Sequence, residues 1–117
     1  MNALLFRVAA ALCFLAVGLG AFGAHALKDT LQANGMSDVW NKAVFYQFVH
    51  ALALLALATL PGATRIASAL FVAGIAMFSG SLYLLALTNA KWLGPVTPRG
   101  GLCFLAGWLC LLIWPPL

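Results

Sequence analysis

The sequence predicts an all-α polytopic membrane protein, a four-transmembrane-helix bundle forming one domain over residues 1–117. Three observations lead there. First, 65% of the residues are hydrophobic and only 7% charged, against roughly half and about a quarter in a soluble domain. Such a chain cannot cover a water-facing surface, which excludes a soluble globular enzyme. Second, four spans of about 20 residues each fit within 117 residues and leave only short loops. Third, Pro, Gly and Asn pairs punctuate the apolar runs where loops are needed.

The first helix is expected over about 3–26, an apolar run broken only by Arg7, whose guanidinium can snorkel to the interface. Ala24-His25-Ala26 also imitates a signal-peptide cleavage site, but the segment is read as a retained span. The polar stretch Leu27–Asn41 follows as a loop, with a turn at Asn34-Gly35 and an N-cap at Ser37-Asp38. The second helix is placed at 38–60 and ends at Pro61-Gly62. Arg65 opens the third, 65–88; the short connection makes helices two and three antiparallel neighbours. After the loop Asn89–Val96, Thr97 is read as the capping hydroxyl and Pro98 as the first residue of a helix over 98–114, stopped by Pro115-Pro116. Trp92, Trp108 and Trp114 are read as interfacial anchors.

An even number of spans puts both termini on one side, with Arg7 and Arg65. Lys28, Lys42, Lys91 and Arg99 fall on the other, so positive-inside reasoning places loops one and three in the cytoplasm and both termini outside. The net charge of +4 suits anionic lipid headgroups of the bilayer. With no basic cluster or aromatic platform outside the membrane, nucleic acid is not an expected partner.

Gly18–Gly23 matches G-x-G-x-x-G, but within a span it neither follows a strand nor opens a helix, so no nucleotide site is inferred. Ala16, Gly20 and Ala24 instead form a small-residue row, matched on the third helix by Ala76 and Gly80. Such rows let helix backbones approach closely. They predict tight packing of helices one and three, within a protomer or between protomers, in a homo-oligomer or a larger membrane complex. Cys13, Cys103 and Cys110 lie within spans without C-x-x-C spacing and are read as small apolar packing residues, not as metal ligands.

The second helix carries the one sharp polar constellation. Lys42, Tyr46 and His50 stack at i, i+4 and i+8 with Gln47 beside them. Ionisable groups within a span are expected to face the bundle interior or a wet cavity. At about 1.5 Å rise per residue, His50 lies roughly 12 Å deep and Tyr46 roughly 6 Å. Counted back from Thr88, Ser79, Ser81 and Tyr83 fall at about 13, 10 and 7 Å, and His25, Thr97 and Arg99 lie at the same side. The other half of the bilayer offers only Arg7, Thr59, Thr64, Arg65 and Ser68, near its interface. A candidate pocket of His50, Tyr46, Gln47, His25, Ser79, Ser81 and Tyr83, open toward loops one and three, follows. The bland alternative is a histidine hydrogen-bonded across the bundle.

A pore needs polar groups along its whole path, which disfavours a channel within one protomer. A haem between His25 and His50 is disfavoured because their depths differ by on the order of 10 Å. Asp29 and Asp38 both lie in loop one, so no acid–base pair enters the bilayer. No catalytic residue, cofactor or metal is therefore expected. The leading reading is a non-enzymatic bundle that binds a lipid headgroup or small molecule, or serves as an accessory subunit. A small transporter or proton-coupled permeation unit with His50 titrating is the alternative; membrane redox or quinone binding through Tyr46 and His50 is a third.

Four segments together, GAFGAHALK (Gly20–Lys28), Tyr46-Gln47 with His50-Ala51-Leu52, FSGSLYLLALT (Phe78–Thr88) and TPRGGLCFLAGW (Thr97–Trp108), resemble the family of small bacterial inner-membrane proteins typified by YgdD and YwdK. That family is a domain of unknown function related to eukaryotic transmembrane protein 256. The resemblance spans nearly the whole chain and implies a four-helix protein of the bacterial inner membrane. It implies no activity and carries no catalytic residues.

Overall fold

A helix needs about 20 residues to cross the hydrocarbon core, and the computed structural model, which describes residues 2–62 and 65–116, holds four long apolar helices of that kind. Helix α1 (Ala3–Ala24) is capped by Asn2, whose side chain accepts from the Leu5 N–H at 3.0 Å. It stops at Ala24, ahead of the expected Ala26, and the chain turns through His25.

Loop one is not irregular, as the sequence reading had it. It folds into α2 (Lys28–Asn34), with Asp29 in its first turn and Gly35 closing it at φ 66°, a left-handed cap that glycine adopts freely. Leu31, its one buried residue, packs with Trp40 and Ala86, and Asn34 Nδ2 donates to the Ala86 carbonyl at 3.0 Å. Helix α3 (Ser37–Thr59) starts at Ser37 itself. The expected Ser37 cap is absent: Met36 holds the cap position without a side-chain bond.

The third span combines α4 (Arg65–Gly74), a π-helical turn at Ile75–Ser79 and α5 (Gly80–Thr88). In the π turn the Gly80 N–H reaches back five residues to the Ile75 carbonyl. Asn89, at φ 56°, caps α5 in the left-handed region. A 3-10 turn at Lys91–Leu93 leads into α6 (Val96–Ile113), whose cap position is Pro95. Thr97 therefore lies inside the first turn and does not cap, and Pro98 is not the first helical residue; the Thr97 hydroxyl bonds elsewhere, as described below.

Spans adjacent in sequence are adjacent in space: α1 packs on α3, α3 on the third span, and the third span on α6. The molecule is accordingly a thin slab, 47 × 26 × 17 Å. Its main core comprises Ala9, Ala51, Leu54, Leu57, Phe71, Ile75 and Phe104.

This order corrects the expected pairing of helices one and three within a protomer. On α1, Ala9 and Ala16 are buried; a Cβ on Gly20 would lie 3.5 Å from Val44, and one on Gly23 would overlap the Trp40 indole. The small face of α1 therefore serves α3. Ala24 and Ala76 are exposed, and a Cβ on Gly80 would find only the Ile75 carbonyl of its own span at 4.0 Å. Glycine-mediated approach occurs instead between the third span and α6. Gly100 sits on the Phe78 backbone, Gly74 against the Phe104 ring and Gly107 against the Phe71 ring.

Candidate functional site

Helix α3 presents His50 to the centre of the slab, nearly fully buried. Its Nδ1 lies 2.7 Å from the Tyr46 carbonyl, which can only accept, so Nδ1 carries the proton. The indole of Trp108 donates through Nε1 to His50 Nε2 at 2.9 Å. An indole N–H is a donor only, so Nε2 presents its lone pair. The two bonds thus select the neutral ring with its proton on Nδ1. A second proton, on Nε2, would point at the indole N–H. Phe104 stacks on the imidazole at 3.6 Å between centroids, and Phe71 meets it edge-on at 5.3 Å.

The other predicted polar residues separate from this centre. Gln47, buried, donates to the Leu12 carbonyl of α1 at 2.8 Å and accepts from the Tyr83 hydroxyl of α5 at 2.6 Å. Ser79 donates to the Ala43 carbonyl of α3 at 2.8 Å. The hydroxyls of Ser81 and Thr97 are 2.6 Å apart, and Ser81 donates to the Phe78 carbonyl at 3.0 Å. One proton per hydroxyl then makes Thr97 the donor to Ser81. Trp40, which the sequence reading passed over, donates to the Leu19 carbonyl at 2.8 Å. These bonds join α1 to α3, α3 to the third span, and the third span to α6.

The expected layers do not align as counted. Ser79 meets the Ala43 carbonyl instead of lying level with His50, and the Tyr83 ring rests 4.8 Å from Trp40. The third span rises past Lys42 to the level of α2, as the Asn34–Ala86 bond shows. Depths counted from Thr88 were therefore overestimated relative to those counted from Lys42. His25 lies exposed in the turn after α1 and joins no cavity of this group.

Of the seven pocket candidates, Tyr46 and His50 line one cavity together. It is an open cleft of about 550 Å³ between α3, the third span and α6, walled otherwise by Phe78, Pro98, Gly101, Leu102, Phe104, Leu105 and Trp108. The Tyr46 ring packs on Phe78 at 4.7 Å, while its hydroxyl has no hydrogen-bond partner among the described residues. Trp108, expected as an interfacial anchor, is half-exposed and forms both cleft wall and His50 partner. A second groove of about 490 Å³ runs between α1 and α4 and includes Leu4, Val8, Ala69, Ala73 and Ala76. Thr64 lies outside the described residues. Among those described, no three His, Cys, Asp or Glu side chains cluster to hold a metal.

The chain matches a family model described as "Protein of unknown function (DUF423)" over residues 19–101. It is 50% identical over 114 residues to a UPF0382 membrane protein of Staphylococcus haemolyticus, covering 93% of each chain. It is 48% identical over 114 residues to a UPF0382 membrane protein of Staphylococcus aureus, again 93% of each. The UPF0382 membrane protein YwdK of Bacillus subtilis is 42% identical over 105 residues, 85% of each chain. No solved structure matches.

Proposed function

The chain belongs to the DUF423 family of membrane proteins, and on that premise we propose that it is a non-enzymatic bundle whose cleft takes up one molecule from the bilayer. The observation that carries this reading is the open cleft of about 550 Å³ between α3, the third span and α6, whose polar-bearing lining residues are Tyr46, itself exposed, and His50 with Trp108. The remaining lining is aromatic and aliphatic. Binding sites of several hundred Å³ are typically apolar with a few placed polar groups, and this cleft has that composition.

Proton-coupled transport through His50 fits less well, since both ring nitrogens are committed to Tyr46 and Trp108. A redox role would rest on the Tyr46–His50 pair alone, whose near-parallel rings lie 6.2 Å apart between centroids. Both termini outside and loops one and three in the cytoplasm remain the orientation we propose, on the charge distribution. The uncovered small-residue face of Ala69, Ala73 and Ala76 favours self-association as an additional property of the bundle.

Native mass spectrometry with an absorption spectrum, on protein extracted in a mild detergent, tests the reading. Expected is a stoichiometric bound lipid or small molecule that is lost in Leu105→Trp, which fills the cleft from an exposed position. Bare wild-type protein, or equal occupancy in the variant, rejects it. The same spectra report the oligomeric state, and a monomer removes the self-association proposal.

A further inference from the structure

We propose that the π turn of the third span is a hinge about which the α4–α6 pair rocks against the rest of the molecule, widening or narrowing the cleft, with the Ser81–Thr97 and His50–Trp108 bonds as its latches. The proposal rests on the reading that the cleft takes a bilayer molecule, and concerns how that site is opened.

The third span changes partner at the turn. Before it, α4 packs chiefly on α6; after it, α5 packs chiefly on α3 and α2, and the turn itself touches both α3 and α6. Glycines interlock the first pair: a Cβ on Gly74 would enter the Phe104 ring and one on Gly107 the Phe71 ring. Polar bonds fasten the other set. Gln47 joins α3 to α1 and to α5, Ser79 joins the end of the turn to α3, and Asn34 joins α2 to α5. One span therefore belongs to two groups, α4 with α6 and α5 with α1, α2 and α3, and the boundary between them is Ile75–Ser79.

That boundary is built to bend. A π turn holds one residue more than an α turn, here through the bond from the Gly80 N–H to the Ile75 carbonyl, and such turns are places where helices kink. Gly80 follows at once, and a Cβ there would meet only the Ile75 carbonyl of the same turn, at 4.0 Å. Packing within the chain does not demand this glycine, whereas its backbone freedom serves a segment that changes shape. On the α6 side of the turn, Gly100 rests on the Phe78 backbone. With no side chain of α6 interlocked at that point, the contact suits a pivot.

The cleft lies across the boundary. Tyr46 and His50 come from one group, Pro98 to Trp108 from the other, and Phe78 from the turn itself. Among the described residues two side-chain hydrogen bonds tie α6 to the α3 group, Thr97 to Ser81 at 2.6 Å and Trp108 to His50 at 2.9 Å. Eleven residues of α6 separate Thr97 from Trp108, roughly 16 Å, so the pair is pinned at both ends of the cleft. Otherwise the groups meet through apolar side chains, the Phe104 and Phe71 rings on His50 foremost. In a bilayer, acyl chains replace such contacts without the water penalty that closes a soluble core, which leaves more of the closure to the two polar bonds. Trp108 and His50 both line the cleft, so whatever fills it bears directly on their latch.

The test is electron–electron double resonance between spin labels, on protein in phosphatidylcholine nanodiscs, diluted with unlabelled protein and with Cys13, Cys103 and Cys110 replaced by alanine. Labels at Phe45→Cys and Leu112→Cys span the boundary from α3 to α6; labels at Phe45→Cys and Leu4→Cys stay within the α1–α3 group. All three sites are exposed. Releasing both latches with Thr97→Val/Trp108→Phe should give the first pair a second component longer by about 2 Å or more, the upper end of common helix shifts, and leave the second pair unchanged. Deleting Ala76, exposed on the turn, shortens the Ile75–Gly80 bond to the span of an α-helical one and should return the first pair to a single distance in the same latch variant. Two pairs that behave alike after unlatching, both fixed or both broadened, would overturn the hinge, as would a second component that survives the deletion. Should the shortened span fail to fold, the comparison of the two pairs decides alone. The readout involves no occupant, so a rigid molecule rejects the hinge and leaves the uptake reading standing, while a mobile molecule that is bare in the mass spectrum rejects uptake alone.

Discussion

His50 shows how little one residue's identity says about its use inside a membrane. A single imidazole in an apolar helix is legible as exceptional from sequence, and whether it titrates or binds depends on what meets Nδ1 and Nε2. Here those partners are the Tyr46 carbonyl and the Trp108 indole. The first is local and follows from the helix. The second is 58 residues away, and a tryptophan late in a span reads equally well as an interfacial anchor. Trp108→Phe keeps an aromatic ring against Phe71 and removes only the donor. The orphaned acceptor should lower stability by about 1 kcal/mol, between the membrane average of ~0.6 and the cost of an unmet buried group. Reversible unfolding in mixed micelles measures this, and a variant as stable as wild type would mean that the bond contributes nothing.

At the scale of elements, the four spans were legible because length and apolarity alone identify them. Their contacts were not. In lipid, both the buried and the outward faces of a helix are apolar, so periodicity no longer marks the inside. The row Ala16, Gly20, Ala24 was matched to Ala76 and Gly80 of the third span, whereas within the protomer Gly20 faces α3. The glycines of α6 carried the missing signal: Gly100 and Gly107 lie two turns apart and face the third span, while Gly101 lines the cleft. Gly100→Ala would drive a methyl into the Phe78 backbone, whereas a Cβ at Gly101 finds only the Phe78 ring edge at 3.9 Å. Overpacking of this kind costs about 1–3 kcal/mol, so Gly100→Ala should destabilise the bundle markedly and Gly101→Ala hardly at all. Equal effects in the same unfolding assay would contradict the close approach. Helix α2 escaped notice because only Leu31 of its seven residues is buried, too little for a periodic pattern.

For the whole molecule, the slab is held by polar links between successive layers, and one side chain serves two of them. Gln47 on α3 bonds α1 with its amide nitrogen and α5 with its amide oxygen, so one side chain couples an outer span to the third. Gln47→Leu and Tyr83→Phe should therefore be non-additive: the double variant should lose less than the sum of the singles, with a coupling of about 0.5–2 kcal/mol. Strict additivity would show that the two contacts act separately. The candidate site was half legible on this scale. Tyr46 and His50 do reach one cleft, but Gln47 was grouped with them by adjacency in sequence and Ser79, Ser81 and Tyr83 by depth, and neither says which way a side chain turns around its helix.

The serial packing of spans also bears on how the protein is made. Each helix leaves the ribosome after the neighbour it will rest on, so the slab can grow by one layer at a time, in line with the N-terminus-first folding of nascent chains. One atom falls out of step. When α3 enters the membrane, Nε2 of His50 has no donor, and none arrives until α6, two spans later, brings Trp108. Until translation reaches that tryptophan the growing protein carries an unmet polar atom within the bilayer, and a chain truncated before it would keep that mark of incompleteness.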